Sequence, residues 1–136
     1  MSTIEQNRAV VQQLYKGFAA GDIAAVLSTM ASDIEWTEAE GYPYAGTYVG
    51  HDAVVQGVFA KLGTEWEGYQ AVPDSYVAEG DTVVALGHYS GRYIKTGKSF
   101  RAPFVHVWTV RDGKLVKFVQ HTDTVVVMRA VNTTGA

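Results

Sequence analysis

The 136-residue chain contains no cysteine. Disulfides, thiolate nucleophiles and zinc or iron–sulfur sites built on cysteine are therefore excluded. Charge of either sign is also scarce in the balance: eleven Lys and Arg against fourteen Asp and Glu leave a net −3. That mildly acidic total gives no electrostatic reason to expect nucleic acid or an anionic membrane as a partner. No apolar run approaches the roughly 18 residues of a membrane span. Met1 to Asn7 show no basic start leading into an apolar stretch, so the expectation is a cytoplasmic protein. No Gly-rich phosphate loop, nucleotide fingerprint or serine in a nucleophile elbow is present. The four histidines (His51, His88, His106, His121) form no helical His-x-x-x-His pair. Neither a metal nor a cofactor is expected.

Apolar side chains are what the chain has in quantity. Hydrophobic residues make up 47% and charged residues 18%, the balance of a globular protein. At this length roughly two-thirds of the unfolded chain's surface can be buried. Three Trp, eight Tyr and five Phe supply material for a core or for a pocket wall. No repeat, low-complexity stretch or linker divides the chain, and 1–136 reads as one domain.

Helices come first and strands afterwards. Ser2-x-x-Glu5 has the spacing of a capping box, followed by Ile4, Val11, Leu14, Tyr15 and Phe18 on one helical face. Gly21 stops this helix and Asp22 is suited to cap a second, carried by Ile23, Val26, Leu27 and Met30. A short strand is expected at 34–38, with Trp36 and Glu38 on the same face. A turn-rich loop follows at 41–46, and then a third helix over about 52–62. Four long strands are expected at about 66–77, 82–95, 99–111 and 114–127. Glu79-Gly80-Asp81, Thr96-Gly97-Lys98 and Arg111-Asp112-Gly113-Lys114 have the turn chemistry of antiparallel hairpins. Strands apolar on both faces need cover on both. Three helices cover one face; a second copy of the chain would most simply cover the outer one, giving a homodimer.

Two constellations stand out on the strands. His121 and Asp123, two residues apart, would share a face with Val119 and Val125, where a carboxylate resists ionisation and becomes a candidate base. The plainer reading has Asp123 bonded to a helix N-terminus. His106 shares its face with Phe104 and Trp108, a wall of rings with one polar group that suits an apolar guest; the plainer reading is a core histidine satisfied by Asp123 or a backbone carbonyl.

The chain resembles the nuclear transport factor 2-like superfamily, and within it the SnoaL-like, ketosteroid-isomerase-related proteins. The resemblance rests on the order helix–helix–strand–helix–four strands and on a series of short words. These are Ala20-Gly21-Asp22, Asp33-x-x-Trp36, Tyr44-Ala45-Gly46-Thr47-Tyr48-x-Gly50, Thr96-Gly97-Lys98, His106-Val107-Trp108, Asp112-Gly113-Lys114 and Thr122-Asp123-Thr124. It implies an α+β fold, with three N-terminal helices packed on a strongly curved, mostly antiparallel sheet that forms a cone around one apolar pocket. It also implies that Asp123 matches the catalytic aspartate of the polyketide cyclases. Counted from Gly21-Asp22, Glu38 falls where ketosteroid isomerases place the aspartate that moves a proton. The same count puts Leu14 where they keep the oxyanion-binding tyrosine, with Tyr15 one position late and so turned by about 100°. The competing reading makes Glu38 a solvated charge among Glu35 and Glu40.

The expected function is a cofactor-independent enzyme of isomerase, cyclase or dehydratase type, acting on a small apolar carbonyl compound. Asp123 or Glu38 would abstract a proton beside the carbonyl. His106, His121 or Tyr15 would donate to the enolate oxygen, with Trp36, Phe104 and Trp108 as the apolar wall. A non-catalytic binding or dimerisation module of the same fold needs only that wall and the outer face. An epoxide-hydrolase-like reading would draw a guanidinium from Arg92 or Arg101.

Overall fold

The computed structural model describes residues 3–133. Helix α1 (Ile4–Ala19) opens on a capping box one residue later than the sequence suggests. Thr3 accepts from the Gln6 backbone N–H at 3.1 Å and the Gln6 side chain accepts from Thr3 at 2.9 Å; Ser2 lies outside the described residues. Asp22 caps α2 (Ile23–Ser28) by accepting from Ala25 N–H. Strand β1 (Met30–Glu38) follows, and the loop after it closes into β2 (Gly46–Val49), an edge strand that its turn-rich sequence concealed. The helical stretch 51–65 consists of α3 (His51–Val54), a π-helical turn (Val55–Phe59) and α4 (Ala60–Glu65).

Strands β3 (Trp66–Glu79), β4 (Thr82–Tyr93), β5 (Ser99–Arg111) and β6 (Lys114–Thr122) form successive antiparallel hairpins. The sheet runs β2-β1-β6-β5-β4-β3, and its one parallel pairing joins β1 to β6. The sheet is curved and unclosed, with helices packed on its inner face, so the expected α+β architecture is present. One end differs: strand β6 stops at Thr122, and a further helix, α5 (Thr124–Val131), takes the place of the expected strand end. The Val125-Val126-Val127 run imitates a strand, but Asp123 supplies the cap that starts a helix instead.

Strict alternation positions the core. On β5 Phe100, Ala102, Phe104, His106, Trp108 and Val110 point inward and are buried, and Val83, Ala85 and Tyr89 do the same on β4. Gly87 occupies an inward position between Ala85 and Tyr89, where a side chain would collide with the neighbouring strand. A Cβ there would sit 2.2 Å from the Val72 carbonyl oxygen and 2.6 Å from the Phe104 ring. Phe104 fills that space and stacks on His106, with ring centres 3.8 Å apart and planes 9° apart.

Candidate functional site

The inward residues of β1, β6, β5 and β4 meet under α1 and the 51–65 helical stretch. They leave a cavity of about 40 Å3, lined among others by Tyr15, Trp36, Glu38, Tyr42, Tyr89 and His106. Its wall is an aromatic cluster: Trp36 meets Phe118 at 4.0 Å between ring centres, Phe59 at 5.3 Å and Trp108 at 5.5 Å.

Among the described residues Glu38 is the one carboxylate in this cavity lining. The alternation of β1 turns it inward with Ile34 and Trp36, leaving it 5% exposed while Glu35 and Glu40 face solvent. The solvated-charge reading of Glu38 is thereby corrected: parity along the strand outweighs the acidic composition around it. Its Oε2 is buried without a hydrogen-bond partner, and so is the Trp36 indole N–H. Burial pushes the Glu38 pKa up to about 8, with the nearby Trp36 indole opposing the rise. Near pH 7 the group is therefore mostly a neutral acid, within reach of both protonation states.

Opposite it lies a relay of neutral groups. The His106 ring lies between two phenols, with Nδ1 2.5 Å from the Tyr15 hydroxyl and Nε2 2.5 Å from the Tyr89 hydroxyl. The Trp108 indole N–H donates to Tyr15 at 3.0 Å, and the Gln120 amide donates to Tyr89 at 2.8 Å. Gln120 is oriented by the Ala39 backbone N–H, which donates to its Oε1 at 2.9 Å. Burial holds His106 well below the ordinary imidazole range, with the charge on His121 acting the same way, and raises Tyr15 and Tyr89 well above the ordinary phenol range. Tyr42 and Tyr69 form a second phenol pair at 2.6 Å.

The structure separates the expected site residues into two groups. Glu38, His106, Tyr15, Trp36 and Trp108 come together at the cavity. Phe104 does not line it; it lies behind His106, in the space that Gly87 leaves open. The expected placement of Asp123 and His121 among apolar neighbours is corrected. Asp123 is exposed and caps α5 by accepting from Val126 N–H at 3.3 Å, as the plainer reading had it. His121 is exposed beyond the inward-facing Gln120, because β6 turns alternate residues to opposite faces. The plainer reading of His106, a core histidine satisfied by Asp123 or a backbone carbonyl, meets two phenols in their place. Asp123→Ala should cost about 1 kcal/mol of stability through the lost cap and leave ligand binding in the cavity unchanged; a urea titration and a binding isotherm check both.

Arg92 and Arg101, the guanidiniums of the epoxide-hydrolase-like reading, are exposed away from the cavity. His51 donates its Nε2–H to the Met30 carbonyl, and His88 pairs with Asp74 at the surface. Among the described residues no three His, Asp or Glu side chains are grouped as metal ligands would be, and no helix is long and apolar enough to cross a membrane. Tyr42, Tyr69, Tyr89 and Gln120 were not singled out by sequence. The inward parity of β4 and β6 carried the signal for Tyr89 and Gln120; Tyr42 sits in a loop, where no periodicity operates.

Comparison with known proteins bears on the family and the fold. The SnoaL-like domain model matches residues 11–118. An NTF2-like protein from Burkholderia thailandensis is 44% identical, with a TM-score of 0.91, the match covering 97% of this chain and 99% of that one. TerC, co-crystallised with polyporic acid, is 32% identical, with a TM-score of 0.85 over 93% of this chain and 98% of that one. A candidate polyketide cyclase from Xanthomonas campestris shares the fold at 20% identity and a TM-score of 0.85, over 96% of this chain and 100% of that one. No curated protein matches the chain.

Proposed function

Since the chain belongs to the SnoaL-like domain family, we propose that it is a cofactor-independent enzyme that moves a proton beside the carbonyl of a small apolar compound. The observation that carries this reading is Glu38: a buried carboxyl with one oxygen unpaired, in an aromatic cavity beside several phenols. Its ionised form takes a proton from the carbon next to the carbonyl. The electron pair moves onto the carbonyl oxygen, where a phenol hydrogen of Tyr15 or Tyr89 stabilises the enolate. Glu38, now neutral, returns the proton to another carbon or to a leaving oxygen; isomerisation, aldol cyclisation and dehydration share the first half of this sequence. A relative co-crystallised with polyporic acid supports a small organic molecule as the occupant.

The test is a thermal-shift screen of small carbonyl compounds, followed by hydrogen–deuterium exchange of each hit in D2O, read by mass spectrometry. The wild type should exchange the hydrogen beside the carbonyl of a hit, and Asp123→Asn should exchange it equally well. Ligands that bind but never exchange would leave a binding module of the same fold, the reading that the exposed Asp123 favours.

A second copy of the chain is the proposed macromolecular partner, seated on the outer face of the sheet. Val72 and Val77 are exposed there, beside the half-buried Val84, Leu86, Val105, Val107 and Val119. Light scattering should give a dimer mass, and Val77→Asp should shift it towards the monomer; a monomeric wild type rejects the interface.

A further inference from the structure

The relay around His106 has a hydrogen count that does not close within the protein. The Trp108 indole can only donate, so one lone pair of the Tyr15 oxygen is taken. The Gln120 amide is fixed with its nitrogen towards Tyr89, because its oxygen already accepts from Ala39, so one lone pair of the Tyr89 oxygen is taken as well. Between the two oxygens stands one imidazole, 4% exposed and bonded to no carboxylate among the described residues. A neutral imidazole carries a single N–H. It therefore donates to one phenol and accepts from the other.

The phenol that receives the imidazole N–H now accepts twice, and its own hydrogen must go elsewhere. Among the described residues neither hydroxyl has a further hydrogen-bond partner, and both tyrosines line the cavity. We infer that His106 is a tautomeric selector: it leaves one phenol hydrogen, on Tyr15 or on Tyr89, free to bind an oxygen in the cavity. With the proton on Nδ1 the free donor is Tyr15; with the proton on Nε2 it is Tyr89. One imidazole thus offers an oxyanion two alternative docking points and one donor at a time. His106 is a positioning residue in this arrangement, acting through the phenols.

The inference rests on the proposed oxyanion role of these phenols, and its test uses no substrate. Tyr15→Phe and Tyr89→Phe each remove one arm of the relay, and nitrogen-15 spectra of the His106 ring report which nitrogen is protonated. A buried N–H without an acceptor is expensive, enough to bias the tautomers at least about tenfold. Tyr15→Phe should therefore hold the proton on Nε2 and Tyr89→Phe on Nδ1. Should either variant fail to fold, Trp108→Phe and Gln120→Met free a lone pair on Tyr15 or on Tyr89 and should draw the proton to Nδ1 and Nε2 respectively. The same tautomer in both members of a pair, or an imidazolium at neutral pH, overturns the selector. Opposite tautomers in a protein that never exchanges a substrate hydrogen would overturn the enzyme reading alone.

Discussion

Glu38→Gln is expected to stabilise the protein by an amount that grows with pH, while the proposed proton-transfer activity falls by about 10²–10⁴-fold. The folded-state pKa of about 8 lies above the ordinary value of 4.5. Between those values the native protein holds a proton that the unfolded chain has released, so stability falls as pH rises through the window. The contribution is fully present below about pH 4.5 and fully lost above about pH 8. At about 1.4 kcal/mol per unit of pH, ionising Glu38 costs the fold about 4–5 kcal/mol. Glutamine keeps the shape of the neutral acid and never ionises. The two proteins should melt together near pH 4.5 and separate by on the order of 10 °C at pH 9. Tyr42, Tyr48, Tyr69 and Tyr89 have pKa values raised by burial and further by the Glu38 charge, and burial favours the neutral form of His106. Both variants share these groups, so the difference between the two proteins reports Glu38. Parallel melting curves at every pH would show that Glu38 ionises freely and would remove the basis of its assigned role.

Gly87→Ala should be the most damaging single methyl in the sheet, costing about 3 kcal/mol and lowering the melting temperature by about 10 °C. The new carbon would meet the Val72 carbonyl oxygen at 2.2 Å and the Pro73 Cα at 2.8 Å, both backbone atoms of β3 that cannot rotate away. It would also meet Phe104, which stacks on His106, so relief in that direction displaces the imidazole from its phenols. Urea unfolding measures the cost. A change under about 1 kcal/mol would mean that β3 shifts easily beside Pro73, where its pairing with β4 is already irregular.

The fold was legible because its punctuation is local. Gly80, Gly97 and Asp112-Gly113 mark the turns between β3 and β6, and all of these have positive φ in the structure. The inward face of β5 follows from parity alone. Failure came where two local rules conflicted. At the end of β6 the β-branched run after Asp123 argued for a strand and the capping aspartate for a helix, and the cap prevailed, so Asp123 starts α5 instead of facing inward from a strand. At Glu38 composition argued for solvent and parity for the core, and parity prevailed. The phenol pairs around His106 join residues 17 and 91 apart in sequence, a distance over which no periodicity speaks.

The parallel pairing of β1 with β6 also has a consequence in time. Strand β1 carries Glu38, yet the neighbour that seals it into the sheet and supplies Gln120 is separated from it by three long strands and a helical stretch. Contacts so distant along the chain form late, since their loop must close before they return any energy. The β3–β4–β5 meander can assemble from neighbours, whereas the candidate site is complete only once the first and last strands of the chain have found each other. A chain stalled short of β6 would own most of its sheet but lack Gln120 and the strand that seats Glu38, so the proposed activity would double as a report that folding has finished.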